Sequence, residues 1–185
     1  MYYHPYTYGY PYYPHYWYPY PVNPTQDTMT HHVPSTNSTI QDRSMRQKGH
    51  DYGGEPYVTQ IRQATIRNQT FRTAIWTGRH LQVTLMSIPV GEDIGLERHR
   101  NVDQFIRIEQ GQGFVQMGDR RDNLTYRRRV SAGDAIMIPS GVWHNVTNTG
   151  RTPLKLYSIY APPEHPYGTV HQTKANAMAA EHHNS

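Results

Sequence analysis

Along the chain, apolar and polar residues alternate in short runs that turn residues interrupt every few positions. Such runs occur at Phe71 to Trp76, Leu81 to Ile88, Gln104 to Ile108, Gly113 to Met117, Leu124 to Val130, Ala135 to Ile138, Trp143 to Val146 and Leu154 to Tyr160. A period of two sends alternate side chains to opposite faces, so each run predicts a short β-strand. Between them stand Thr77-Gly78, Pro89 to Gly91, Gln110 to Gly113, Gly118-Asp119, Ala132 to Asp134 and Thr149-Gly150, all of turn-forming character. Many short strands with almost no helix argue for an all-β antiparallel sandwich or barrel. Val58 to Asn68 is apolar at Val58, Ile61, Ala64 and Ile66, which settles neither helix nor strand. Thr173 to His182 is rich in Ala, Met and Glu and predicts a short helix.

The first residues are a different polymer. Ten of the 16 tyrosines lie in residues 1–20, mixed with prolines and two histidines and without a charged side chain. Repeated proline blocks helix and interior pairing, so residues 1–24 read as an extended low-complexity tail, with self-association into a coat or surface assembly as the sharper alternative. Residues 25–54 read as a polar linker, in which His31 and His32 are solvated rather than metal-bound. The barrel is expected over residues 55–162. A C-terminal extension, 163–185, folds back through Tyr167 and Val170, with prolines that forbid regular pairing.

Composition narrows the function. The 185 residues hold no cysteine, which removes disulfides, thiolate metal sites and cysteine nucleophiles. No run approaches the length of a membrane span, and the first residues lack the basic start and apolar core of a secretory signal. The expected location is therefore cytoplasmic or spore-associated. A formal charge of +4 with scattered arginines, clustered only at Arg127 to Arg129, is too diffuse for a nucleic-acid footprint.

The candidate chemistry sits in two stretches. Glu97 and His99 stand two residues apart, so on a strand both point into one space. Gln104 opens the next strand, and His144 follows a Pro-Ser-Gly turn. Two imidazoles, a carboxylate and an amide oxygen form a metal site suited to iron or manganese, and zinc is disfavoured without thiolate. In Leu81 to Ile88, the alternate set Gln82, Thr84 and Met86 would line a pocket for a sugar or an organic acid if it faces inward. His165 and His171 read as surface histidines, with the barrel mouth as the alternative position. Phe105, Met137 and Trp143 read as packing residues between sheets or subunits.

The second stretch carries Gly133, Pro139, Gly141, His144 and Asn148 at the spacing of a cupin motif, and the first carries Gly91, His99 and Gly111 of its partner motif. The region Phe71 to Ala177 resembles small single-domain cupins of the mannose-6-phosphate-isomerase-like group. The resemblance implies a jelly-roll barrel that binds a divalent metal and acts on a small molecule, as a sugar-phosphate isomerase or a dioxygenase. It also implies a homodimer. Two ligand positions depart from the family pattern: Glu97 replaces the usual His, and Gln104 replaces the usual Glu. The alternative is a non-catalytic structural or binding cupin of a bacterial spore surface, since the tyrosine tract resembles tails of such proteins.

Overall fold

The computed structural model describes residues 50–183. The tail, its expected coat assembly, and His31 and His32 lie outside those residues. A six-stranded sheet has the order β6-β3-β8-β2-β1-β9, and a three-stranded sheet the order β5-β4-β7. Their strands are β1 Arg72–Thr77, β2 Gln82–Ile88, β3 Asp103–Gln110, β4 Gln112–Gly118, β5 Tyr126–Ser131, β6 Ala135–Ile138, β7 Trp143–Asn148, β8 Leu154–Ala161 and β9 Val170–His171. Every ladder is antiparallel. Two packed antiparallel sheets form the cupin jelly roll, and all eight expected strands are present. The ninth, β9, begins just beyond the prolines that excluded pairing from the segment before it.

Register explains the division of the interior. Across the six-stranded sheet, Gln104 pairs with Tyr160, and Tyr160 with Gln82; the next inward row holds Ile106, Ser158 and Thr84. Below it stand Ile108, Leu156 and Met86. Side chains two residues apart share a face, so polar groups gather at one end of the barrel and aliphatic groups at the other. The aliphatic end, with Ile88, Ile94, Val115, Val146 and Leu154, is the core. Met86 belongs to that core rather than to a pocket wall.

Two helices flank the sheets. Val58 to Asn68 resolves into α1, Ile61–Arg67, which packs on β2, β3 and β8. Burial decided between the two periods there: Thr65 is the residue this helix sequesters, and its hydroxyl bonds back to Ile61 O at 2.8 Å. The C-terminal helix α2, Lys174–His183, starts at the expected place, with Thr173 Oγ1 accepting from Asn176 N, and it inserts Ala177 into the core. None of the described helices is long and apolar enough to cross a membrane.

The packed region begins ahead of residue 55. Asp51, assigned by sequence to the linker, is buried; its carboxylate accepts from Gly53 N, Thr77 Oγ1 and Gly168 N. A short acidic residue that caps three donors looks like any linker residue until its distant partners are known. Arg127 to Arg129 are solvent-exposed on β5. Of the three predicted packing residues, Phe105 and Trp143 are half-buried while Met137 is exposed. The Arg98 and Arg121 guanidinium groups both lie over the Trp143 ring, 4.9 and 5.6 Å from its centroid.

Asn148 shows why the second motif ends in asparagine. Its amide nitrogen donates to Ile88 O and Thr152 O, both at 2.9 Å, and its oxygen accepts from Gly150 N at 3.0 Å. One buried side chain thus ties β2 to the turn after β7. Asn148→Ala leaves these groups without partners, and each unsatisfied buried group costs about 1–3 kcal/mol. We expect a loss of about 2–3 kcal/mol, which lowers the thermal midpoint by roughly 6–15 °C in a calorimetric scan. A shift below about 2 °C would contradict the stapling role.

Candidate metal centre

Glu97 is brought to His144 by backbone pairing. Residues 91–97 run antiparallel beside β7: Gly91 N donates to Asn148 O, Ile94 N to Val146 O, and Glu97 N to His144 O. His144 N returns a bond to Glu97 O at 3.0 Å, so the two residues form a mutually bonded pair. Opposed residues in such a pair project to the same side. The chain then turns, and His99 O accepts from Gly141 N at 2.7 Å, where Gly141 has φ +82°. That left-handed conformation favours glycine. The turn after β6 and the loop after residue 97 therefore hold each other.

The side chains converge. Glu97 Oε1 lies 3.3 Å from His144 Nε2 and 3.4 Å from His99 Nε2. One ligand atom from each of Glu97, His99 and His144 falls within 4.8 Å of the other two. The outer ring nitrogens are engaged elsewhere. His144 Nδ1 is 3.0 Å from Val142 O, and His99 Nδ1 is 3.0 Å from Glu164 Oε1. A carbonyl only accepts, so His144 Nδ1 carries the proton and Nε2 is left as the lone-pair nitrogen. Three electron-rich atoms thus face one another in a water-poor interior, an arrangement that repels unless a proton or a metal cation lies among them.

The ionisation of the group follows. Burial disfavours the Glu97 carboxylate, but the His144 and His99 imidazoles beside it and the Arg72 charge overcome that cost and hold its pKa well below the ordinary carboxylate range. Arg72 Nη2 is 3.7 Å from Glu97 Oε2, and the guanidinium is almost fully buried. Burial also opposes a charge on His99, yet the Glu164 and Glu97 carboxylates raise its imidazole to about 9. In the metal-free protein a proton on His99 therefore supplies the cation. The donor set fits a divalent metal in its place: two imidazole nitrogens and one carboxylate oxygen, each within 4.8 Å of the other two.

Gln104 is buried one strand away, opposite Tyr160, and its amide nitrogen donates to Ser158 Oγ at 2.9 Å. Its Oε1 has no hydrogen-bond partner. Gln82, Thr84 and Met86 all face inward. Gln82 is occupied as a clamp, donating to His165 O at 2.8 Å and accepting from His165 N at 3.0 Å. Only Thr84 of the three leaves its polar atom unengaged.

Three residues around the triad escaped the sequence reading. Arg72, Tyr160 and Glu164 carry no motif; an arginine at an inward strand position was the one available signal. Tyr160 is fully buried, 5.5 Å ring to ring from His99, and burial pushes its phenol up to about 12. His165 corrects an expectation. It is half-buried rather than surface-exposed, its ring packs 5.0 Å from Tyr160, and burial, with the Arg72 charge, depresses it to about 3. His171 is likewise half-buried, since β9 pairs beside Arg72. The extension folds back onto the barrel, where Gln82 holds both backbone groups of His165 and β9 pairs with β1.

The family model described as "Cupin domain" matches residues 84–160. YrkC, an uncharacterised protein of Bacillus subtilis, is 58% identical over 158 residues, covering 85% of this chain and 84% of its own. An uncharacterised protein of Acanthamoeba polyphaga mimivirus, L612, is 40% identical over 115 residues, or 62% of this chain and 70% of its own. The crystal structure of the Bacillus halodurans protein BH2720 shares 64% identity with a TM-score of 0.70, and the match covers 70% of this chain and 98% of that one. Motif, sheet topology and relatives agree: the chain belongs to the cupin superfamily.

Proposed function

We propose that this cupin binds a divalent metal through Glu97, His99 and His144 and acts on a small oxygen-rich molecule as a dioxygenase. The observation that carries this reading is the convergence of Glu97 Oε1 with two imidazole Nε2 atoms while the outer nitrogen of each ring faces its own acceptor. Two histidines and one carboxylate are the ligand set of non-haem iron(II) oxygenases, which favours iron, then manganese, over zinc. When bound, such an ion supplies the redox and Lewis-acid chemistry. The chain's own residues provide the rest. Arg72 sets a positive wall beside the triad and suits an anionic group on the ligand. Tyr160 keeps its proton on Oη, and His165 stays neutral, so neither adds a charge to the interior. Thr84 and Gln104 offer a hydroxyl and an amide oxygen for hydrogen bonds.

The mannose-6-phosphate-isomerase-like resemblance offers a second activity on the same centre, and oxygen consumption separates the two. Protein purified without added metal is expected to carry about one metal ion per chain by elemental analysis, and His144→Ala to carry almost none. Iron-loaded protein should take up oxygen with at least one member of a panel of sugars and organic acids. Isomerisation of a sugar phosphate without oxygen uptake would assign the isomerase activity instead.

Proton competition sets the pH dependence. His99 must lose a proton before Nε2 can bind a metal, and its pKa is raised to about 9. Metal affinity should therefore climb roughly tenfold per pH unit between about 7 and 9, then level off. Titration calorimetry in buffers of different ionisation enthalpy should record about one proton released per metal at pH 7. A flat profile would mean that His99 is neutral before metal arrives.

A further inference from the structure

The matched cupin region contains all three candidate ligands but ends at Tyr160, four residues short of Glu164. Glu164 nonetheless sits on the centre, with Oε1 at 3.0 Å from His99 Nδ1. The segment that carries it is held to the barrel at several points. Gln82 clamps both backbone groups of His165, and the His165 ring rests edge-on against Tyr160. Tyr167 Oη donates to Asp51 O and Gly168 N to Asp51 Oδ2, and β9 then pairs with β1. The position of the carboxylate is thus set by the fold, although its side chain is partly exposed at 31%.

The two histidines are oriented by different devices. His144 leans on Val142 O, a carbonyl two residues away on its own turn. His99 has Glu164 at that nitrogen instead. A hydrogen-bonded acceptor at the outer nitrogen selects the tautomer of a metal-bound histidine and strengthens the ligating nitrogen. We propose that Glu164 is a positioning residue of the metal centre, holding the His99 ring with its proton on Nδ1 and the Nε2 lone pair directed toward Glu97 and His144. This rests on the metal-binding reading above. It makes the C-terminal extension part of the site, so the centre is incomplete in the matched cupin region alone.

The test uses the full chain and Zn2+ as probe, with affinity measured by chelator competition at about pH 9.5, above the range in which a proton competes for His99. Glu164→Ala is expected to weaken binding roughly 10–100-fold, while Glu164→Gln, whose amide oxygen still accepts from Nδ1–H, stays within about threefold of the parent. In nitrogen-15 spectra of the zinc-loaded protein, the His99 Nδ1 proton should persist in the parent and in Glu164→Gln, and exchange with solvent in Glu164→Ala. Glu164→Asp, its carboxylate drawn back by one methylene, should fall between them and serves if Glu164→Ala does not fold. Glu164→Ala and Glu164→Asp that both bind like the parent, while His144→Ala does not bind, would overturn the positioning role and leave the metal reading intact. Equal weakening in Glu164→Gln and Glu164→Ala would also overturn it. Failure of the parent chain to bind zinc, iron or manganese would instead remove the metal reading, and this inference with it.

Discussion

The reciprocal backbone bonds between Glu97 and His144 are the constraint on which the centre depends, because they join a loop after β2 to the strand β7. Paired in this way, the two side chains must leave the sheet on the same side, and that side is the barrel interior. His99, two residues further on, joins them where the chain turns and its carbonyl accepts from Gly141 N. The geometry is thus delivered by main-chain hydrogen bonds, which do not depend on the side chains they position. This separates folding from function: the ligands can differ from the usual family pattern without disturbing the scaffold that aims them.

Electrostatics then decides what the interior can hold. A carboxylate taken out of water is costly unless charges or hydrogen bonds replace its hydration. Around Glu97 the replacement comes from Arg72 on β1 and from the two histidines. The polar inward row on β2, β3 and β8 surrounds them with groups able to hydrogen-bond, while the aliphatic rows below supply the packed core. The barrel therefore has a wet-chemistry end and a dry end, set by which residues occupy alternate positions on three neighbouring strands. Gln104 fits this division as a neutral member. With its nitrogen committed to Ser158, it presents an oxygen without adding charge to a site that already holds Glu97.

The C-terminal extension changes the usual boundary between domain and appendage. Asp51 and residues 164–171 interlock beside the barrel mouth, and each makes bonds with backbone groups far away in sequence. Neither piece has a hydrophobic pattern strong enough to announce a strand or a helix. Their order comes from specific hydrogen bonds, each of modest strength, and from the burial of His165 against Tyr160. Such segments shape the surroundings of a site while carrying no motif of their own.

The sequence by itself determined the strand set, the jelly-roll class and three of the groups that meet. Those features are encoded locally: alternation of period two, turn residues between runs, and ligands at fixed spacing such as Glu97 and His99. The helix at Ile61–Arg67, by contrast, was left open by its own pattern and was decided by burial against β2, β3 and β8. Arg72, Tyr160, Glu164 and His165 belong to the site for a reason no local window contains. Each approaches it through a sheet register or a chain reversal that joins distant residues, as Glu164 reaches His99. Only tertiary structure fixes which of many arginines, glutamates and histidines are desolvated side by side, and desolvation is what gives their charges weight.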